Sequence, residues 1–190
     1  KKQVAIFYSL WHGCHGYDHG ANHNDVVPPT ASDTKSPYAI EKPLADNPNS
    51  PEYGPFGAMH HWGEPMLGYY VANDRWVIRK HAQMLTDAGV DAIFFDVTNG
   101  YHYLPVVQVI CEEYTKMRAE GSNTPQFAFL VSANAGGMVD YLYKEIYSKG
   151  LYKDLWYNWL ESPLILADKS AVTDPEQLNF FTFRHSWFTW

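Results

Sequence analysis

The chain has 190 residues, 46% hydrophobic, 18% charged and 16% aromatic, which is enough for one domain with a real core and too little for two of ordinary size. So many aromatics with so little charge exclude disorder, and no stretch reaches the roughly 18 apolar residues of a membrane span. Lys+Arg 14 against Asp+Glu 21 gives a net charge of −7, which argues against nucleic acid as a partner, because phosphate binding needs a basic surface.

Gln3 to Ser9 reads as a first strand, a short β-branched and aromatic run. From Trp11 to Asn73 periodicity is almost lost, and that stretch holds eight of the 12 prolines and seven of the 13 glycines. A loop longer than about 15 residues inside a compact domain is usually functional or disordered. Its aromatics, Trp11, Tyr17, Tyr38, Trp62 and Tyr70 among them, favour an ordered excursion over residues 11–73 that builds a binding surface. Asn73 or Asp74 then caps a helix with Val77, Ile78, Met84 and Leu85 at helical spacing, stopped by Gly89.

Val90 to Val97 follows as a nearly unbroken apolar run, the mark of a strand covered on both faces. Pro105 suits the first turn of a second helix carrying Val106, Ile110, Tyr114 and Met117, with Gly121 at its end. Gln126 to Ser132 is a third strand and Met138 to Ser148 a third helix, ended by Gly150. Pro163 to Ala167 is a fourth strand, Asp174-Pro175 opens one short helical turn, and Asn179 to Trp187 is a fifth strand.

Strand and helix alternating at this spacing mean βαβ units and a parallel sheet. No Gly-rich phosphate turn follows any strand, so an open nucleotide-binding sheet loses support. The other choice is a (β/α)8 barrel, which takes about 250 residues and rarely less than about 200. The expectation is an α/β chain of residues 1–190 forming a single, truncated barrel domain of about five βα units.

In either architecture ligands meet the C-terminal ends of the strands. Those ends carry Tyr8, Trp11 and His12 after the first strand, and Asp96 and Asn99 at the second. Asn134 follows the third, Asp168 the fourth, and Arg184, His185 and Trp187 lie on the fifth. Acids, amides, imidazoles and aromatic planes together suit a polyhydroxylated ligand, whose hydroxyls want paired donors and acceptors and whose ring faces want flat partners.

Asp96 shares a face with Ala92 and Phe94, so its carboxylate either points into the barrel mouth or caps the next turn. Asp168 offers the same two alternatives. In the long loop, His60, His61, Trp62 and Glu64 combine hydrogen bonding, stacking and a carboxylate in a Gly/Pro setting. His12, His15, His19 and His23 with Cys14 and Asp18 are dense enough to hold a metal, yet none follows a known finger spacing; the expectation is no metal and no cofactor. A Ser-His-Asp triad lacks its nucleophile elbow, and two cysteines, Cys14 and Cys111, exclude a disulfide framework.

VAIFYSLWH, the Gly/Pro/His loop and LGYYVANDRWVIRKHAQMLTDAGVDAIFFDVTNGY resemble the N-terminal half of glycoside hydrolase family 99-like barrels, the endo-α-mannosidase and mannanase group. LYKDLWYNWLESPLILAD and FFTFRHSW are similar to segments of secreted bacterial relatives with that architecture. The resemblance implies a glycosidase acting on a glycan, working outside the cytoplasm, with no membrane span. It also implies that the family's two catalytic carboxylates stand in a later Trp-Asn-Glu-Trp-like stretch, which Tyr157-Asn158-Trp159-Leu160-Glu161 echoes only superficially. No catalytic role is carried over from it. Asp96, Asp168 and Glu64 are the acids this chain offers, and a non-catalytic glycan-binding domain or a metal-dependent hydrolase are the alternatives. The raw edges of the first and fifth strands lead us to expect a chain continuation or a second polypeptide beside them.

Overall fold

The computed structural model describes residues 2–10, 65–68 and 70–185. These fall into two compact units: residues 2–10, 79–102 and 111–185, and residues 65–68, 70–78 and 103–110. The described part of the expected 11–73 excursion is limited to its last residues.

The first unit is organised by one sheet. Its strands are β1 (Ala5–Tyr8), β2 (Ala92–Val97), β3 (Gln126–Val131), β4 (Asn158–Trp159), β5 (Ser162–Leu166) and β6 (Thr182–Arg184). β1, β2, β3, β5 and β6 are parallel neighbours in that order, while β4 pairs antiparallel with β5. Parallel strands lying in chain order are the arrangement with which a (β/α)8 barrel winds. The expected α/β class therefore holds as a six-stranded mixed sheet with helices.

The helices are α1 (Arg75–Asp87), α2 (Leu104–Ala119), α3 (Ala135–Leu142) and α4 (Pro175–Phe180). Asp74 caps α1, its Oδ1 accepting from the Val77 N–H at 3.1 Å. Asp174 caps α4 in the same manner, accepting from Glu176 N–H at 2.8 Å, with Pro175 in the first turn. α3 continues as one π-helical turn, Tyr143–Tyr147, which buries Tyr143, Ile146 and Tyr147. None of the helices among the described residues is long and apolar enough to cross a membrane.

Register assigns the two sheet faces. Ile93, Phe95, Phe127, Phe129 and Ile165 share one face, and there Tyr147 meets Phe129 edge-on at 6.3 Å. Ala92, Ala128, Leu130, Leu164 and Leu166 form the opposite cluster with Tyr157, and Phe94 packs against it. Both faces are apolar, as the unbroken strand runs require.

Two expectations are corrected. β4 and its hairpin were not expected, because the Leu160-Glu161 turn contains no Gly, Asn or Pro; both residues take positive φ, 53° and 69°, as a two-residue hairpin turn demands. The expected strand from Asn179 begins instead at Thr182, since α4 runs through Phe180. Phe180 packs on Tyr143, Tyr147 and Trp156 at 5.2, 5.8 and 6.0 Å, and this tertiary contact overrides the β propensity of a Phe-Phe-Thr-Phe run.

Candidate functional site

Asp96 is the penultimate residue of β2, on the face of Ala92 and Phe94, and it is buried. Its Oδ1 accepts from the Thr98 N–H at 3.0 Å and from the Thr98 hydroxyl at 2.7 Å. The carboxylate thus bonds the first turn of its own loop, the second of the two alternatives its position allowed. The loop continues under similar restraint: Gly100 N–H donates to Val97 O at 3.1 Å with φ of 85°, and Asn99 Oδ1 accepts from Tyr101 N–H at 3.2 Å. Ala133 N–H donates to Thr98 O at 2.9 Å and ties the loop to the end of β3. His102 stacks on Tyr141 of α3, 4.0 Å between centroids and 17° between planes.

Asp168 repeats the device after β5. Its Oδ1 accepts from Ser170 N–H at 2.9 Å and from the Ser170 hydroxyl at 2.7 Å. These two bonds, aided by the charge of His185, hold the Asp168 carboxyl below the usual carboxylate range. It is therefore ionised at neutral pH, which suits a base or an electrostatic partner and not a general acid.

β3 lies between the strands that carry the two acids. Asp96 is level with Leu130 and Leu130 with Leu166, so Asp168 stands two residues further along. Two strand spacings of about 4.8 Å and one further pleat repeat of roughly 6.6 Å put their Cα atoms about 12 Å apart. A retaining glycosidase needs carboxyl groups about 5 to 5.5 Å apart and an inverting one about 6.5 to 9.5 Å; Oδ1 of each aspartate accepts from its own turn.

Asn134 sits at the start of α3 with φ of 49°, is exposed, and makes no side-chain cap bond. The following Gly136 is required by space, because a Cβ there would lie 2.3 Å from the Ala171 carbonyl oxygen. The turn carrying Asp168 and the start of α3 therefore abut.

Tyr8 and Arg184 are placed differently from the expectation of a shared rim. Tyr8 falls on the Phe95 side of the sheet, where its hydroxyl meets His81 Nδ1 at 3.0 Å and its ring meets Phe95 edge-on at 6.2 Å. The cause is strand parity, since Tyr8 pairs in register with Phe95 and not with Asp96. The Arg184 guanidinium lies 5.9 Å over the Trp159 ring, and Trp159 pairs with the first residue of β5. Its side chain is thereby drawn away from the C-terminal ends. His185 is exposed beside Asp168.

Trp11, His12, His60, His61, Trp62, Glu64 and Trp187 lie outside the described residues, as do Cys14, His15, Asp18, His19 and His23. Among the described residues no group of three or more His, Cys, Asp or Glu is placed to hold a metal ion. Cys111 is buried in α2, and burial pushes its thiol well above the ordinary range, which removes it as a nucleophile. Tyr141 is the residue that sequence reasoning missed, whereas Thr98 and Ser170 stand in turns that the sequence marks by an Asp-x-Ser/Thr spacing at two strand ends.

No family model matches the chain, and no curated protein matches it. Among solved structures it is similar to the family 99 endo-α-mannosidase from Bacteriodes thetaiotaomicron in complex with bis-tris-propane, at 18% identity and a TM-score of 0.49. The match covers 89% of this chain and 42% of that one, so the chain spans less than half of that neighbour's length. A likeness of that depth assigns neither family nor activity.

Proposed function

We propose that the C-terminal rim of β2, β3 and β5 is a carbohydrate-recognition surface, of the kind that carbohydrate-active (β/α)8 enzymes use. The supporting observation is the loop after Asp96. Five backbone and side-chain bonds hold it, and it carries an amide, an imidazole and a phenol at the same end of the sheet as a second acidic turn. Fixed polar groups and ring planes are what a polyhydroxylated ligand requires, and fixing them beforehand lowers the entropy lost on binding.

Recognition is the broader reading and hydrolysis the narrower one. Hydrolysis normally takes two carboxyl groups across the scissile bond. With Asp96 and Asp168 engaged by their own turns, a hydrolase would draw on Glu64 or on a carboxylate from a further segment or partner chain. A non-catalytic glycan binder needs no such addition, and the double use of both acids as caps favours it.

Titration calorimetry against soluble α-mannan, dextran, maltoheptaose, cellohexaose and chitohexaose, with a reducing-end assay on the same mixtures, tests this. Binding without release of reducing ends makes the chain a recognition module, and release makes it a glycosidase. Neither binding nor release with all five would sink the proposal.

A further inference from the structure

Just past the end of β3, Asn134 carries an amide that none of the described residues takes up. An asparagine before a helix ordinarily lends its side-chain oxygen to a backbone N–H of the first turn, from an extended backbone. Asn134 makes no such bond and stands instead at φ 49° and ψ 48°. Its amide is nevertheless closely seated. A Cβ on Gly137 would lie 2.5 Å from Asn134 Nδ2 and 2.8 Å from its Oδ1, and the three atoms nearest to that Cβ all belong to the Asn134 amide. The amide therefore rests on the bare Cα of Gly137. A single exposed asparagine is ordinary on a surface. Here, though, one position forgoes a cap bond and another forgoes the better helix-forming alanine, and together they hold a polar group at the rim.

The turn after β5 offers a second group beside it. Both Ser170 bonds go to Oδ1 of Asp168, and among the described residues its Oδ2 accepts none. Gly136 sets this turn against the start of α3, since a Cβ there would run into the Ala171 carbonyl. Resting on the carbohydrate reading above, we infer that Asn134 and Asp168 read two neighbouring hydroxyls of a pyranose, and that Gly137 is a positioning residue for the Asn134 amide. The ligand class follows from the two groups. An amide offers both donors and an acceptor, which suits a hydroxyl that also does both. A carboxylate oxygen only accepts, and it takes the proton of the next hydroxyl in a charge-assisted bond. The same negative charge repels phosphate and carboxylate ligands, which leaves a neutral diol as the partner that satisfies both groups.

The experiment is calorimetry of wild type, Asn134→Gly, Gly137→Ala, the double variant of these two, and Asp168→Asn against the five glycans named above, with a thermal melt of each. Glycine adopts φ of 49° without strain, so Asn134→Gly removes the amide and spares the backbone. It should weaken binding by about tenfold with the melting temperature nearly unchanged. Gly137→Ala should melt at or above wild type, because alanine is the better helix former, yet bind about threefold more weakly because its Cβ displaces the amide. In the double variant Gly137→Ala should add no further loss, since the group it displaces is gone. Asp168→Asn keeps an oxygen for Ser170 and should lose about tenfold in affinity.

A wild type that binds while Asn134→Gly binds equally well overturns the inference and leaves the recognition surface standing. Asp168→Asn at wild-type affinity removes the second half of the pair and overturns the diol reading. A Gly137→Ala loss that persists undiminished without Asn134 overturns the positioning role of Gly137. A wild type that binds none of the glycans takes both readings down together.

Discussion

The turns after β2 and β5 are built alike and housed differently. In each, one aspartate oxygen accepts from the N–H and the hydroxyl of the residue two positions on, at 3.0 and 2.7 Å for Asp96 and 2.9 and 2.7 Å for Asp168. Asp96 is 2% exposed and sits under the loop it caps, whereas the bonds of Asp168 lie at the surface. The same pair of hydrogen bonds therefore has two different costs of removal. Water can replace the partners of Ser170, and it reaches those of Thr98 poorly. The comparison separates what a cap does from what burial makes of it.

The largest effect is expected where the second turn meets α3. Gly136→Ala would push a Cβ to 2.3 Å from the Ala171 carbonyl, a backbone atom that cannot swing aside. A loss of about 3 kcal/mol, at the upper end of overpacking costs, should appear as a lower urea midpoint with unchanged slope. Next, Asp96→Ala leaves the partly buried Thr98 N–H and hydroxyl without their acceptor and should lose about 2 kcal/mol. If the second loss proves no larger than that of Asp168→Ala, burial does not distinguish the turns.

Asp168 offers the pH arm of the same contrast. Its folded pKa is depressed, so its contribution is present above the unfolded value of about 3.9 and is lost as pH falls through the folded value. Wild type should thus lose more stability than Asp168→Asn when acidified below about pH 4, read from paired melts across that range. The smallest effect is expected away from both turns. The Tyr143 hydroxyl donates to Glu176 at 2.6 Å, and the phenol is pushed up to about 12, chiefly by that bond. Because the folded pKa is raised, the contribution is present below the unfolded value of about 10 and fades as pH rises toward 12. Tyr143→Phe should melt slightly lower than wild type at pH 8, and the gap should close in strong alkali.

The regular elements were legible because their signals are local. The runs at 90–97 and 126–132 bounded by glycine or polar residues mark buried strands, and Asp74 and Asp174 announced their helices correctly. What could not be read was decided at a distance. Leu160-Glu161 carries no turn chemistry, so its hairpin is imposed by pairing of β4 with β5. Phe180 is helical because an aromatic cluster receives it. The strand-end rule put Asp96 and Asp168 at the turns after β2 and β5, where the structure has them, and could not say which face a terminal residue takes. Tyr8 missed the rim through register by one position, and Arg184 through an attraction to an indole ring two strands along in sequence.

The parallel order of the sheet also sets a sequence of assembly. β2 and β3 pair across residues 98–125, whereas β1 reaches β2 only by closing residues 9–91. A loop some three times longer costs about 1 kcal/mol more to close, so β2, β3, β5 and β6 can zip together before the N-terminal strand arrives. β1 is then the last strand to dock and the first to leave. Its amides should exchange with deuterium well ahead of those in β3, and until it docks the apolar edge of β2 stands open to any other extended segment in reach.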